Sequence, residues 1–222
     1  MAPSERAEDL TGRARIRDAA LLEFAEHGVK GATIRGIAKA AGVSPALVQH
    51  HFGTKDALRE ACDEYVIETI GETKREALDG GISSPGFLSV AMRTALPVQR
   101  YIARVLTDDS AAARTLFDDA VAFSEDFLKR GGPGISTPNT DDLHGYATVM
   151  TAMSFGLIVL HEHLSRGLGG NVLMGEGYPR MALAMLDVLE DNIMSPELTA
   201  QVRAALRSLP AAGGQPPHEE KR

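Results

Sequence analysis

Apolar residues along this chain recur at helical spacing, and almost nowhere do they alternate as a half-buried strand would. Ile16, Ala20 and Phe24 share one face; Ile34, Ile37 and Ala38 share another. Glycine and proline cut the pattern into segments. The chain is therefore expected to be all-α. Its 222 residues suffice for one or two domains with a sizeable core. With 5% aromatics and no Trp, that core is built chiefly from Ala, Leu, Val, Ile and Met.

The segments follow from their caps. Residues 1–11 read as a flexible polar arm. A first helix is expected from about Gly12 to His27, closed by Gly28. Thr33 caps a short helix through Ala41, and Gly42 makes a turn. Ser44 caps the next helix, with Pro45 at its first position and its end near Phe52 and Gly53. Thr54 caps a longer helix from Lys55 to about Leu78. After a Gly/Ser/Pro linker, helical segments are expected at 85–94, 97–107 and 109–130. A glycine-rich loop runs from Gly131 to Asn139, followed by helices at 141–166 and 178–193 around a second loop, Gly167–Gly177. A last helix opens at Ser195 and fades near Leu209; the tail at 210–222 reads as disordered.

Charge marks where a polyanion would bind. The net charge is −7. Between Thr11 and Arg59, however, eight basic residues face four acidic ones, a local excess of +4. In that basic stretch lie two short helices, Thr33–Ala41 and Ser44–Phe52, joined at a glycine in helix-turn-helix proportions. The second helix offers small or hydrogen-bonding side chains at Ala46, Gln49 and His50. Gln is able to pair with adenine in bidentate fashion, and Ala packs on a thymine methyl. Thr33, Arg35 and Lys55 are placed for phosphates.

The run Thr33-Ile-Arg-Gly-Ile-Ala-Lys-Ala-Ala-Gly-Val-Ser-Pro-Ala-Leu-Val-Gln-His-His-Phe-Gly-Thr-Lys-Asp-Ala-Leu58 resembles the N-terminal signature of the TetR family of bacterial regulators. Ala19-Ala-Leu-Leu-Glu-Phe-Ala-Glu-His-Gly28 and Gly31-Ala-Thr33 are similar to that family's first helix and turn. The likeness covers roughly residues 13–60. It implies a three-helix DNA-binding domain, 12–53, followed by a helical ligand-binding and dimerisation domain, 54–209. Carried onto this chain, it implies DNA contacts from Thr33, Arg35, Ser44, Pro45, Ala46, Gln49, His50 and Lys55. The family commonly has Leu-Tyr before the His; here Val48-Gln49 stands instead, which makes Gln49 a candidate specificity determinant.

For the body, Ala147–Leu160 is a 14-residue apolar-rich stretch, too short to span a bilayer and in need of cover on every face. One stripe along it is Tyr146, Val149, Met153, Gly156 and Leu160. With the helix at 178–193, it is expected to form a homodimer face, as the resemblance implies. Met92, Tyr101, Phe117, Phe123, Phe127, Met150 and Met153 lie on segments expected to surround a largely apolar effector pocket. No charged cluster in those segments points to a phosphate or a strongly anionic ligand.

Other chemistries find no support in the pattern. His161 and His163 are two apart on a helix and diverge, so no metal is expected. Paired carboxylates such as Asp118-Asp119 read as solvated, so no catalysis and no cofactor are expected. Cys62 is the single cysteine, a packed thiol consistent with a reducing, cytoplasmic setting; with Ala147–Leu160 too short to span a bilayer, no membrane association is expected. The expectation is a DNA-binding repressor released from its operator by a small ligand. The rival is a helical enzyme or protein-binding module with an incidental helical corner.

Overall fold

The structure is a computed structural model that describes residues 3–108, 110–131, 135–191 and 193–208; for 3–10 it describes the backbone alone. The expected tail at 210–222 lies outside the described residues. Among them the chain is helical, in two units, Met1–Met181 and Ala182–Arg222.

The first unit opens with α1 (Pro3–Gly31), which leaves helical geometry at Gly28. It starts well before Gly12: residues 4–9 are rich in Glu, Arg and Ala, good helix formers, and acidic residues suit a helix N-terminus. Next come α2 (Ile34–Ala41), α3 (Pro45–Phe52) and α4 (Lys55–Leu78). Each is opened by a hydroxyl that accepts a backbone N–H three residues on: Thr33 from Gly36 at 3.0 Å, Ser44 from Leu47 at 3.2 Å, Thr54 from Ala57 at 3.0 Å. Gly42, at φ 65°, closes α2 and allows α3 to turn back across it. A short 3-10 turn, Gly81–Ser83, leads to α5 (Phe87–Val105), α6 (Ala111–Arg130), α7 (Leu143–Val159), α8 (His161–Leu168) and α9 (Gly177–Glu190).

Two expectations about helices are corrected. The separate segments at 85–94 and 97–107 are one helix, α5, running through Pro97. An interior proline costs a helix about 3 kcal/mol. Downstream of it Val98, Tyr101, Ile102 and Val105 are all buried, and each such side chain contributes roughly 1.5–3 kcal/mol, enough to hold the helix together. Conversely, the expected single helix at 141–166 is two, bent by 67° at Leu160. There a ring nitrogen of His161 lies 2.9 Å from the Ile158 carbonyl, competing with the helical ladder. No single described helix is long and apolar enough to cross a membrane.

The core of this unit is one continuous cluster. Ile16, Ala20 and Phe24 of α1 meet Ile37 and Val48 of the short helices. They also meet Leu58, Cys62 and Val66 of α4, and Tyr101, Ile102 and Val105 of α5. Thus α1, at the base of the helix-turn-helix, packs along α5 of the body. The second unit holds the end of α9, from Ala182, and α10 (Pro196–Arg207), opened by Ser195 accepting from Leu198 N–H at 3.2 Å. Leu198, Val202 and Leu206 form an exposed apolar stripe on α10.

Candidate nucleic-acid interface and the joint behind it

α3 is amphipathic in the sense a reading helix requires. Val48 and Phe52 are buried against the neighbouring helices, while Pro45, Ala46, Gln49 and His50 are exposed. Thr33, Arg35 and Ser44 are exposed as well. The Thr33 and Ser44 oxygens accept the capping bonds, which leaves each hydroxyl hydrogen to donate.

Lys55 departs from expectation. Its half-buried ammonium donates to the Val29 carbonyl at 2.8 Å and the Ala32 carbonyl at 3.1 Å. It ties the start of α4 to the end of α1, because carbonyls left open at a helix C-terminus attract a cation. Two of its three ammonium hydrogens are thereby engaged in holding the motif together.

Two further cations brace the motif and were not singled out by sequence reasoning. Arg13 lies 4.5 Å over the Phe52 ring and donates to the His51 carbonyl at 3.1 Å, holding the C-terminal end of α3. Arg17 stacks 3.6 Å over Tyr65 of α4 and pairs with Asp18 at 2.7 Å. Arg59 is buried in α4. Four of the eight basic residues in this stretch, Arg13, Arg17, Lys55 and Arg59, are therefore engaged within the protein, and the remaining four, Arg15, Lys30, Arg35 and Lys39, are exposed.

Behind the motif lies a buried polar joint. Asp63 of α4 forms an ion pair with Arg59 one turn earlier and accepts from the Tyr101 hydroxyl of α5 at 2.6 Å. Burial pushes the Asp63 carboxyl up to about 6, against the lowering pull of Tyr101 and Arg59. Burial and the neighbouring carboxylate push the Tyr101 hydroxyl up. The Tyr101 ring also meets Phe24 of α1, with centroids 6.3 Å apart. Burial likewise pushes the Cys62 thiol up, which makes it a packed, unreactive group.

The expected pocket residues do not surround one cavity. Tyr101 is fully buried in the joint. Met153 is 56% exposed on α7, Met92 is half-buried on α5, and Met150 packs beside Val121 and Ala147. Phe117 lines an open groove of about 630 Å³ with Phe155, Leu106 and Val159. Phe123 and Phe127, stacked at 6.2 Å, line a smaller cavity of about 210 Å³ with Leu78, Arg75, Asp79, Arg130 and Gly131. Helical periodicity places a residue on a face; it does not say which faces meet.

Residues 16–62 match the family model described as "Bacterial regulatory proteins, tetR family". That region, α1 through the start of α4, is similar to the N-terminal region of the TetR family. Among relatives, it is 39% identical over 127 residues to the "HTH-type transcriptional regulatory protein RaaS" of Mycobacterium tuberculosis, covering 57% of this chain and 59% of that one. It is 36% identical over 58 residues to the "HTH-type transcriptional regulator BetI" of Paraburkholderia phymatum, 26% of this chain and 30% of that one. These matches span less than two thirds of either relative's length. A solved structure described as "Molecular basis for control of antibiotic production by a bacterial hormones" shares the fold, with a TM-score of 0.51, 20% identity, and coverage of 78% of this chain and 95% of that one. Within the TetR-type domain, α2 and α3 are the helix-turn-helix, and α4 leads from it into the body.

Proposed function

We propose that this chain is a dimeric transcriptional repressor that reads double-stranded DNA through α3 and leaves its operator when a small, largely apolar molecule binds the body. The observation that carries the reading is the exposed Ala46, Gln49 and His50 face of α3, held by buried Val48 and Phe52 and by the Arg13 brace. Ala46, Gln49 and His50 approach base edges, while Thr33, Arg35, Ser44 and Pro45 meet the backbone. Lys55 supports them from behind.

Dimerisation is supported by apolar faces that a soluble chain does not leave uncovered. On α7, Tyr146, Val149, Met153 and Leu160 are 46%, 60%, 56% and 52% exposed. On α9, Leu183, Leu186 and Leu189 are exposed too. A twofold dimer sets two copies of α3 about 34 Å apart, one turn of duplex. Regulation follows from the joint: α1 and α4 share Phe24, Asp63 and Tyr101 contacts with α5, so a ligand that shifts α4 or α5 shifts α3 with them. Such a ligand acts only in so far as it prefers one spacing over the other. The relatives named as HTH-type transcriptional regulators are consistent with a role in transcription. The location is expected to be cytoplasmic.

The test is an electrophoretic mobility shift with DNA from upstream of the chain's own gene, over a salt series. A sequence-specific complex that weakens steeply with salt supports the reading. Absence of any specific complex at low salt overturns it.

A further inference from the structure

At Gly28 the chain leaves helical geometry, with φ 70° and ψ 166°, and turns toward α2. Gly28 is buried, and the guanidinium of Arg104, near the end of α5, lies against it. A Cβ on Gly28 would meet Nη2 of Arg104 at 2.9 Å, Nε at 3.2 Å and Cζ at 3.4 Å, so the guanidinium occupies the space a side chain would take. The other turns of the motif are not covered in this way. A Cβ on Gly42 or Gly53, which follow α2 and α3 at positive φ, would meet nothing within 4 Å.

Arg104 is itself held in place. Asp108, one turn on, lies 3.9 Å from its Nη1, and the Thr107 hydroxyl donates to the Arg104 carbonyl at 2.8 Å. A surface ion pair of this kind contributes little to stability, and the Arg104 side chain is 43% exposed. Its position relative to α1 is what distinguishes it. The end of α1 presents open carbonyls, and a cation is favoured at such a helix terminus. Lys55 of α4 takes the Val29 and Ala32 carbonyls, and Arg104 of α5 approaches the same bend. About one turn earlier on both helices, Phe24 of α1 meets Tyr101 of α5. α5 therefore holds α1 at two levels: at a buried aromatic contact, and beyond it at the bend from which the helix-turn-helix departs.

We propose that Arg104 is a positioning residue for DNA reading: seated on Gly28, it fixes the direction in which α2 and α3 leave α1, and hence the separation that paired copies of α3 hold. A recognition helix that tilts at this bend still reads its own half-site, but two such helices no longer match one half-site spacing. For its effect on operators the inference rests on the dimeric DNA-reading proposed above; for the order of the bend it stands alone.

The test compares the full wild-type chain with Arg104→Met. Amide hydrogen exchange should become about two- to fivefold faster across residues 28–36 and stay unchanged in α4, because a cation is lost at a helix end and the opening is local. The melt should stay within about 2 °C of wild type, since the side chain is exposed and its ion pair weak. Gly28→Ala, which puts a methyl where the guanidinium lies, should also speed exchange there, and the double variant should be no faster than Gly28→Ala alone. On DNA, fluorescence anisotropy compares the operator with a copy carrying one extra base pair between its half-sites. Wild type should prefer the native spacing by at least about tenfold, and Arg104→Met by about threefold or less, with little change on a single half-site. The proposal is overturned if folded Arg104→Met exchanges as wild type does, or if its exchange rises throughout the chain as the melt falls. Multiplying effects in the double variant, or a wild-type spacing preference in Arg104→Met, overturn it equally. A wild-type chain that binds no DNA sinks the dimeric-reader account, and the exchange measurement still decides the role of Arg104 at the bend.

Discussion

Replacing Tyr101 by Phe tests the joint between the DNA-binding helices and the body. The substitution keeps the ring against Phe24 and removes one hydroxyl, which donates to the buried Asp63 carboxylate at 2.6 Å. A hydrogen bond to a charged group contributes about 1.5–3 kcal/mol. No cavity is opened, so that range is the expected loss. It corresponds to a melting shift of roughly 3–12 °C for a chain of this length. The pH dependence sharpens the test. Burial holds Asp63 at about 6, above its ordinary 3.8, so between those values the native state binds more protons than the unfolded chain. The contribution of Asp63 to stability therefore falls as pH rises through that window. Tyr101 holds this carboxyl down, so Tyr101→Phe lets it rise further and extends the fall to higher pH. The mutational loss should be larger at pH 8 than at pH 5. Urea denaturation at both pH values, at fixed protomer concentration, measures it. A loss below about 0.5 kcal/mol at pH 8, or a larger loss at pH 5, would refute the reasoning.

Other substitutions separate reading, anchoring and assembly. Gln49→Ala should change base preference at one operator position by about 1–3 kcal/mol, seen in competition with a set of operator variants; unchanged preference would remove Gln49 as a specificity determinant. Arg35→Ala should lower the slope of log affinity against log salt by about 0.9 per lost phosphate contact, or about 1.8 for a dimer. Lys55→Met should leave that slope unchanged and cost roughly 1.5–3 kcal/mol in a denaturant titration, since its ammonium bonds the Val29 and Ala32 carbonyls. Val149→Glu, at a position 60% exposed on α7, should convert a dimer to monomer in sedimentation velocity with little change in the monomer's helicity.

The parts of the fold legible in the sequence are those set within a few residues. The bounds of α2, α3 and α4 follow from Thr33, Ser44 and Thr54, whose oxygens each reach an N–H three positions on. The sidedness of α3 is equally local, which is why its exposed face is readable. What was not legible depends on partners far along the chain. Lys55 bonds a carbonyl 26 residues away, and Asp63 meets a hydroxyl 38 residues away. Nothing near either residue announces the contact. Pro97 reads as the start of a new segment because its cost to a helix interior is local while the burial of Tyr101 and Ile102 that offsets it is not. The grouping of the expected pocket residues was not legible for the same reason: Phe117, Phe123 and Tyr101 all lie on inward faces, yet they face a groove, a small cavity and a closed joint respectively.

The central claim is that paired copies of α3 read DNA, and hydroxyl-radical footprinting of the region upstream of the gene tests it most directly. The account predicts two protected half-sites related by a twofold axis, one helical turn or a multiple apart, with protection lost in Val149→Glu. Uniform or absent protection with the wild-type chain would contradict it.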